Sequence, residues 1–286
     1  MSFSIVIPVY GQAALLHQCL SSLMETIDTS VVEVLLYDDH TPGEEAAEVQ
    51  EVADLFYPMG VKFTRQLQNK GFAANCNDGI EAASNDRVVL LNQDTVMAEG
   101  WTVMLRWLDY ESIGVVGNLQ LNRQGKVDHL GVAPHRYGPT MVPIHLYRTI
   151  PLKAIPDCAL QPKTVPAVTG ACMAFDRSKI GSRPLDEIFR NGYEDIDLCY
   201  RVRVNMGLRV VIDPESRITH VGSQSEGRFD HESKNRKIWV DRWVHFAEAD
   251  PSATEIMDAD REGGRRPIPG WVGPNGNTEG MTGASL

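Results

Sequence analysis

Short apolar runs alternate with apolar stripes of helical spacing along the first 95 residues of the chain. Four segments predict strands, over residues 5–9, 31–37, 61–65 and 87–91, and the apolar run at 5–9 is predicted to be buried. Three stripes predict helices between these strands, over residues 15–23, 49–56 and 73–83. The alternation predicts an α/β fold in which a mostly parallel, Rossmann-like central sheet is flanked by helices on both faces.

The pattern is weaker after Trp101. Strands are predicted over residues 113–119, over 168–175 with an interruption at Thr169-Gly170, and over 208–212. Helices are predicted from the acidic segment at 194–197 through Met206, and over 231–246. Residues 125–166 are rich in His, Pro, Gly and Tyr, so we expect loops around one or two short strands there.

The composition is that of a globular protein and argues against a nucleic-acid-binding or membrane-spanning one. The 286 residues are 43% hydrophobic and 23% charged, which is typical of a globular protein. The net charge of −11 argues against nucleic acid as a partner, because phosphate binding needs concentrated Lys and Arg. Five cysteines without metal-type spacing indicate reduced core thiols. With no leader peptide before the first strand and no apolar run near about 20 residues, we expect a cytoplasmic protein, free or peripheral at the membrane, without a transmembrane segment.

The same patterns predict the domain organisation. We expect one domain over residues 1–250, in which residues 1–95 carry the regular strand–helix alternation and residues 96–250 carry the weaker pattern. Gly and Pro become frequent near the end of the chain. Residues 251–286 are therefore predicted to be a flexible tail.

Polar residues follow the predicted strands at one edge of the sheet. Asp38 and Asp39 follow the second strand, Asn69-Lys70-Gly71 precedes the third helix, and Asn92-Gln93-Asp94 follows the fourth strand. Ligands bind at the carboxyl ends of strands in such sheets, and a carboxylate there can hold Mg²⁺ or Mn²⁺ together with a diphosphate. The alternative is an ordinary turn in which the aspartate bonds to nearby backbone.

Two later features could complete such a site. Glu194, Asp195 and Asp197 lie where an irregular segment becomes a predicted helix. They could supply acid–base chemistry, or they could cap the first helical turn, with Asp197 pairing with Arg201 one turn later. His220 follows another predicted strand, where an imidazole could bind a metal or could be structural.

Taken in order, these segments resemble glycosyltransferase family 2 and its GT-A fold over about residues 3–240. Residues 5–10 resemble the first strand of that family, although Gly11 stands where Asn is common. Asp38 and Asp39 resemble the acid pair that contacts the nucleotide base and ribose. The residues for which the resemblance implies donor binding are Pro8, Tyr10, Asp38, Asp39, Asn69, Gly71, Asn77, Asn92 and Gln93. Thr169 and Gly170 resemble the acceptor-side segment.

The resemblance also implies a mechanism. Asp94 and His220 would hold Mn²⁺ or Mg²⁺ at the leaving diphosphate. Asn92 replaces the first of two aspartates usual in this motif, so metal binding would fall mainly on Asp94. Asp195 would be the general base, held in place by Glu194 and the helix start. One base opposite the leaving group predicts inversion at the anomeric carbon.

The resemblance is strongest for rhamnosyltransferase-type members, which build bacterial surface polysaccharides. It implies a nucleotide diphospho-sugar donor with a pyrimidine base, rhamnose as the sugar, and a saccharide or glycoconjugate acceptor. Residues 1–95 would be the nucleotide-sugar half, and residues 96–250 the smaller, acceptor-side half.

Two other classes compete with this interpretation. A sugar-nucleotide nucleotidylyltransferase also uses an α/β sheet with acidic metal ligands, but residues 8–12 lack the cation expected in its Gly-rich loop. A non-catalytic carbohydrate-binding protein derived from a transferase would have no need for Asp94, Asp195 and His220 together.

Overall fold

The structure, a computed structural model, describes residues 2–137, 140–222 and 231–249. The predicted tail at 251–286 lies outside these residues. The strands are β1 (Phe3–Val9), β2 (Val32–Asp38), β3 (Val61–Arg65), β4 (Arg87–Leu91), β5 (Thr95–Met97), β6 (Ile113–Leu121), β7 (Val127–His129), β8 (Val132–Tyr137), β9 (Thr140–His145), β10 (Lys163–Thr164), β11 (Cys172–Asp176) and β12 (Arg209–His220). The α-helices are α1 (Ala13–Met24), α2 (Glu45–Phe56), α3 (Phe72–Ala82), α4 (Arg177–Ile180), α5 (Glu194–Val204) and α6 (Glu232–Ala249). Three 3₁₀ segments cover Tyr57–Met59, Trp101–Asp109 and Leu152–Ala154.

A ten-stranded sheet forms the centre of the part of the chain that the structure describes. Its main path is β10-β12-β6-β11-β4-β1-β2-β3, with β5 paired to β12 and β7 paired to β6. Strands β3, β2, β1 and β4 are mutually parallel, and β12 is parallel to β6. Strand β11 is antiparallel to both of its neighbours, β4 and β6. The predicted α/β fold with a mostly parallel central sheet flanked by helices is confirmed.

The hydrophobic core has one layer on each face of the sheet, because successive side chains of a strand point to opposite faces. On β1, Ile5 and Ile7 pack in the layer that contains Leu16 and Leu20 of α1. Val6 packs in the opposite layer, which contains residues of α3, α5 and α6. Each layer removes large aliphatic side chains from water, worth about 1.5–3 kcal/mol apiece.

The strands of the parallel half end level with one another. Val9 at the end of β1 is paired with Asp38, and Asp38 is paired with Arg65 at the end of β3. The Asp39 backbone N–H donates to the Val9 carbonyl over 2.8 Å. The carboxyl-end edge predicted from topology therefore gathers the residues that follow β1, β2 and β4.

The predictions for the second half needed correction. Four short strands, β7 to β10, lie within the described residues of 125–166, where one or two were expected, and β8 and β9 pair with each other as a separate antiparallel sheet. The strand predicted over 168–175 begins only at Cys172, and residues 168–171 are irregular. Strand β12 continues past the predicted end at 212 to His220, with an irregular register near Asp213.

Candidate active site

Asp38, the last residue of β2, and Asp39, which follows it, are both hydrogen-bonded to other parts of the protein. Asp38 has no exposed surface; one carboxylate oxygen accepts from the backbone N–H and hydroxyl of Thr41, and the other pairs with Arg65 Nη1 at 2.8 Å. Asp39 is 5% exposed and accepts from the backbone N–H groups of Lys70 and Gly71, at 2.7 and 2.9 Å. Burial raises the pKa of Asp39, and these two N–H groups oppose the shift.

Asp39 thereby fixes the loop that begins α3. Gly71 has a φ of +86°, which favours glycine, and its backbone N–H points at Asp39. Asn69 is exposed, and its side-chain oxygen accepts from Arg190 at 3.3 Å. The predicted donor-binding residues Asn69 and Gly71 therefore lie together with Asp39 at the sheet edge, beside an exposed cation, Arg190.

Gln93 shapes the loop after β1. Its side-chain oxygen accepts from the Tyr10 backbone N–H at 2.8 Å, and its amide nitrogen donates to the Gly11 carbonyl at 2.7 Å. The Tyr10 side chain is 45% exposed, so it is accessible to a ligand. Pro8 lies one residue before the end of β1, paired with Tyr37.

Asn77 does not join this edge. Its amide is buried and bonds the 185–187 segment: it donates to the Leu185 carbonyl and Glu187, and it accepts from the Leu185 N–H at 3.0 Å. This geometry gives Asn77 a packing role, because its hydrogen-bonding groups are occupied by protein partners. The donor contact predicted for it finds no support here.

Asp94 and His220 are brought together although they are far apart in sequence. Strand β5, which follows Asp94, pairs with the end of β12, and the Val221 backbone N–H donates to the Asp94 carbonyl at 2.8 Å. His220 Nε2 lies 3.4 Å from Asp94 Oδ1, without the alignment of a hydrogen bond. The other ring nitrogen, Nδ1, is 2.8 Å from Asp128 Oδ2 on β7. Burial would lower the pKa of His220, but the two carboxylates raise it to about 9.

The pair has the geometry of two ligands to one cation. Ligand atoms at about 2.1 Å from a cation and at right angles lie about 3 Å apart, close to the separation of Asp94 Oδ1 and His220 Nε2. Among the described residues, His220 Nε2 and Asn92 Oδ1 are buried atoms without a hydrogen-bond partner. Those residues contain no group of three His, Cys, Asp or Glu side chains arranged as a closed metal site. The residues thus fit Mn²⁺ or Mg²⁺ in the way Mg²⁺ is usually held, with phosphate and water completing the shell.

Asp195 faces the acceptor-side segment. Its Oδ2 accepts from the Gly170 backbone N–H at 2.7 Å, and its Oδ1 accepts from the Ile196 N–H at 2.8 Å. The two residues pack closely, since a Cβ at position 170 would lie in van der Waals contact with the Asp195 Cβ, at 3.4 Å. The predicted acceptor-side residues Thr169 and Gly170 are therefore next to the predicted base.

The start of α5 is held from several sides. Asn191 and Tyr193 both adopt positive φ, at 56° and 77°, a strained backbone that recurs at functional sites. Asn235 of α6 donates to the carbonyls of Arg190 and Gly192 at 2.8 and 2.9 Å. Glu194 accepts from the Gly192 N–H at 2.7 Å, which supports this turn.

Asp197 has the structural role considered above. It accepts from Arg201 Nε at 2.8 Å, the predicted one-turn pair, and from Trp243 Nε1 of α6 at 2.8 Å. The acidic residues therefore differ in role. Asp197 links helix α5 to helix α6, whereas Asp195 faces the acceptor-side segment at Gly170.

Three polar residues of the site were missed from the sequence. Asp128 and His129 lie on β7 and His145 ends β9, all within the segment expected to be mostly loop. Asp128 also contacts Arg148, at 3.3 Å, and the positive charges of His220 and Arg148 hold its pKa well below its usual range although burial would raise it. The only sequence signal was the presence of His and Asp in an irregular segment.

The cysteines play no part in this site. Cys19, Cys76, Cys172 and Cys199 are buried and Cys158 is partly exposed, all as free thiols. Burial raises the pKa of Cys19 and Cys199 to about 12, so both are protonated and unreactive. No helix in the described part of the chain is both long enough and apolar enough to cross a bilayer.

Comparison with known sequences gives a family and one distant relative. The sequence model of the family described as glycosyl transferase family 2 matches residues 4–181, more than half of the chain. A poly(ribitol-phosphate) beta-glucosyltransferase of Bacillus spizizenii is 28% identical over 111 residues, which are 38% of this chain and 17% of that enzyme.

Comparison with solved structures gives the same fold. A mannosyltransferase from Pyrobaculum calidifontis, in complex with GDP-mannose and Mn²⁺, superposes with a TM-score of 0.58 at 16% identity, over 82% of this chain and 60% of that one. GalNAc-T7 with UDP, GalNAc and Mn²⁺ superposes with a TM-score of 0.62 at 17% identity, over 85% of this chain and 50% of that one. The chain thus spans less than two thirds of each of these proteins.

Proposed function

Because this chain belongs to glycosyl transferase family 2, we propose that it transfers a sugar from a nucleotide diphospho-sugar to an acceptor hydroxyl, with Asp195 as the general base. The observation that carries the proposal is the Asp195 carboxylate. Two backbone N–H groups fix it at 2.7 and 2.8 Å, and a carboxylate keeps further acceptor positions when two are used. It is thus oriented and still able to accept a proton.

The proposed reaction is a single displacement at the anomeric carbon. The acceptor oxygen forms a bond to the anomeric carbon, the bond from that carbon to the diphosphate oxygen breaks, and Asp195 takes the hydroxyl proton. Attack from the side opposite the leaving group gives inversion. Asp94 and His220 would hold Mn²⁺ or Mg²⁺, which supplies positive charge to the departing diphosphate.

Residues at the sheet edge would orient the donor. Tyr10 is exposed beside the loop that Gln93 fixes, and Asp39 retains unused acceptor positions and a small accessible surface. These groups can contact a base or ribose. Asp38 has no exposed surface, so its contribution to donor binding would be indirect, through the loop it shares with Thr41.

The donor proposed is a pyrimidine nucleotide carrying rhamnose, and the setting is surface polysaccharide or glycoconjugate synthesis in the cytoplasm. The motif resemblance supports this choice. The structural neighbours hold a guanosine donor in one case and a uridine nucleotide in the other, so they do not favour a pyrimidine. An apolar pocket excludes an added hydroxyl by only about 10²-fold, so related donors should also react slowly.

The proposal is tested with Asp195→Asn, which keeps the shape of the side chain and removes its basicity. Turnover of nucleotide-sugars with Mn²⁺ present should fall by about 10² or more, the scale of general base catalysis, while donor affinity changes little. Asp241→Asn, an exposed position on α6, is the matched control. Near-normal transfer by Asp195→Asn contradicts the assignment of the base. Failure of the unaltered chain to use any uridine, thymidine or guanosine diphospho-sugar contradicts the proposed function itself.

A further inference from the structure

Two histidines that the mechanism above does not use are in direct contact. His129 Nδ1 on β7 lies 3.2 Å from His145 Nδ1 at the end of β9, and the rings meet edge to face with centroids 5.1 Å apart. His129 has no exposed surface, and His145 is partly exposed. A hydrogen bond between two ring nitrogens requires one of them to carry a proton and the other to lack it.

The backbone decides which nitrogen carries the proton. The Thr169 N–H, which can only donate, points at His129 Nε2 over 3.4 Å, so that nitrogen is the acceptor. Burial lowers the pKa of both histidines, which keeps both rings neutral. Neutral His129 therefore carries its proton on Nδ1 and donates it to His145 Nδ1. Neutral His145 must then carry its own proton on Nε2.

The contacts place this pair beside the proposed base. Thr169 donates to His129 while the next residue, Gly170, donates to Asp195 at 2.7 Å, so one dipeptide fixes both side chains. The carboxylates of Asp128 and Asp195 both act electrostatically on His145. Within the described residues, no protein acceptor bonds to His145 Nε2.

We propose that His145 Nε2–H is a fixed hydrogen-bond donor to the acceptor substrate beside the attacking hydroxyl, and that His129 is the positioning residue that sets the tautomer of His145. This inference rests on the proposed function, because it deepens the acceptor side of the same site. The partner is a saccharide hydroxyl or ring oxygen, an uncharged group that a neutral imidazole can hydrogen-bond without attracting a second metal ion.

The tautomers are measured directly by long-range ¹H–¹⁵N correlation of the histidine rings in the full chain. We expect His129 to be protonated at Nδ1 and His145 at Nε2, before any substrate is added. His129→Phe removes the ring that donates to His145 Nδ1, so the His145 ring should then show both tautomers. The melting temperature of this variant is measured to confirm that it is folded. A proton on Nδ1 of His145 in the unaltered chain overturns the proposal.

The substrate contact is measured as the ratio of sugar transfer to donor hydrolysis. The acceptor is the p-nitrophenyl glycoside that the unaltered chain glycosylates fastest. His145→Phe should raise the acceptor KM about tenfold and lower the transfer-to-hydrolysis ratio by a similar factor, the effect of one lost hydrogen bond to a neutral group. His145→Gln retains an N–H donor, so its acceptor KM and its transfer-to-hydrolysis ratio should lie between those of the unaltered chain and of His145→Phe.

The control is His135→Gln, since His135 is an exposed histidine of the same hairpin, on β8. It should leave the ratio unchanged. An unchanged ratio in both His145 variants, with active unaltered chain, overturns the inference and leaves the proposed function standing. Absence of any nucleotide-sugar turnover by the unaltered chain overturns both.

Discussion

Asp38 ends β2 and Asp94 lies shortly after β4, at the same edge of the sheet, yet their carboxylates have opposite surroundings. Asp38 is fully buried, and both of its carboxylate oxygens are bonded to Thr41 and Arg65. The Asp94 carboxylate instead faces His220 Nε2, a buried nitrogen that makes no hydrogen bond within the described residues. A buried polar atom without a hydrogen bond is costly, and a cation bound between Asp94 and His220 would supply the missing partner.

The other aspartates of this region also differ in whether protein donors satisfy their carboxylates. Asp39 and Asp197 accept from protein donors that hold loops and helices in place. Asp195 is fixed by two backbone N–H groups but lies next to the irregular segment at 168–171. A carboxylate that the protein fully satisfies stabilises the fold, and one that it orients without satisfying is available for chemistry. Each prediction below tests one side of this distinction.

The largest effect is expected at Asp94. Asp94→Asn removes the only carboxylate of the proposed metal pair, so turnover should fall about 10³-fold, since charge on a leaving diphosphate is worth several kcal/mol. Rates with Mn²⁺ and urea unfolding are measured on the same preparation. EDTA should inactivate the unaltered chain to a similar degree, and full activity in EDTA contradicts the metal-dependent mechanism.

The next effect is expected at Asp128, which orients His220 through a 2.8 Å contact. Carboxylates that hold a metal-binding histidine contribute about 10–100-fold to metal affinity. Asp128→Asn should weaken Mn²⁺ binding by that factor in calorimetry with UDP present. Asp157→Asn, an exposed aspartate of the same region, serves as the control. Equal Mn²⁺ affinity in both variants contradicts the orienting role.

The sequence predicts the parallel half of the fold well because apolar residues mark its strands, most continuously β1 and β4, and each of its helices has an apolar stripe. Asp38 and Asp94 were singled out because they stand at the ends of predicted strands, and Asp195 because it stands at the start of a predicted helix. Topology then required the residues after β1, β2 and β4 to meet at one edge.

Asp128, His129 and His145 could not be found in this way. Strand β7 has three residues, too few to show an alternating pattern, and β8 and β9 form a separate two-stranded sheet. The contact between Asp128 and His220 joins positions 92 residues apart. It depends on the pairing of both β12 and β7 with β6, and register between distant strands leaves no local mark in a single sequence.

Substitution of Asp38 should lower the stability of the fold, whereas substitution of Asp94 should lower turnover. Asp38→Asn keeps the volume but weakens the bonds to Thr41 and leaves Arg65 without its charged partner, so the free energy of unfolding should fall by about 2 kcal/mol. The Arg65 side chain is 35% exposed, which limits the loss below that of a fully buried pair. Urea unfolding measures this, with exposed Asp54→Asn as the control. A strong loss of donor affinity at unchanged stability contradicts the framework role.

The smallest effect is expected at Glu33, a satisfied carboxylate on β2 at the opposite end of the strand from Asp38. It accepts from Ser4, Ser84 and Lys62, with Lys62 Nζ at 2.7 Å. Burial would raise the pKa of Glu33, but these donors lower it to about 2. Because the folded value is below the ordinary value of 4.5, the stabilisation is complete above about pH 4.5 and disappears as the pH falls through about 2.

Glu33→Gln should therefore cost about 1 kcal/mol at pH 7, and more than half of that difference should vanish by pH 3. Exposed Glu51→Gln is the control in urea unfolding at both pH values. A difference that persists undiminished at pH 3 shows that packing, rather than the satisfied charge, stabilises this end of the sheet.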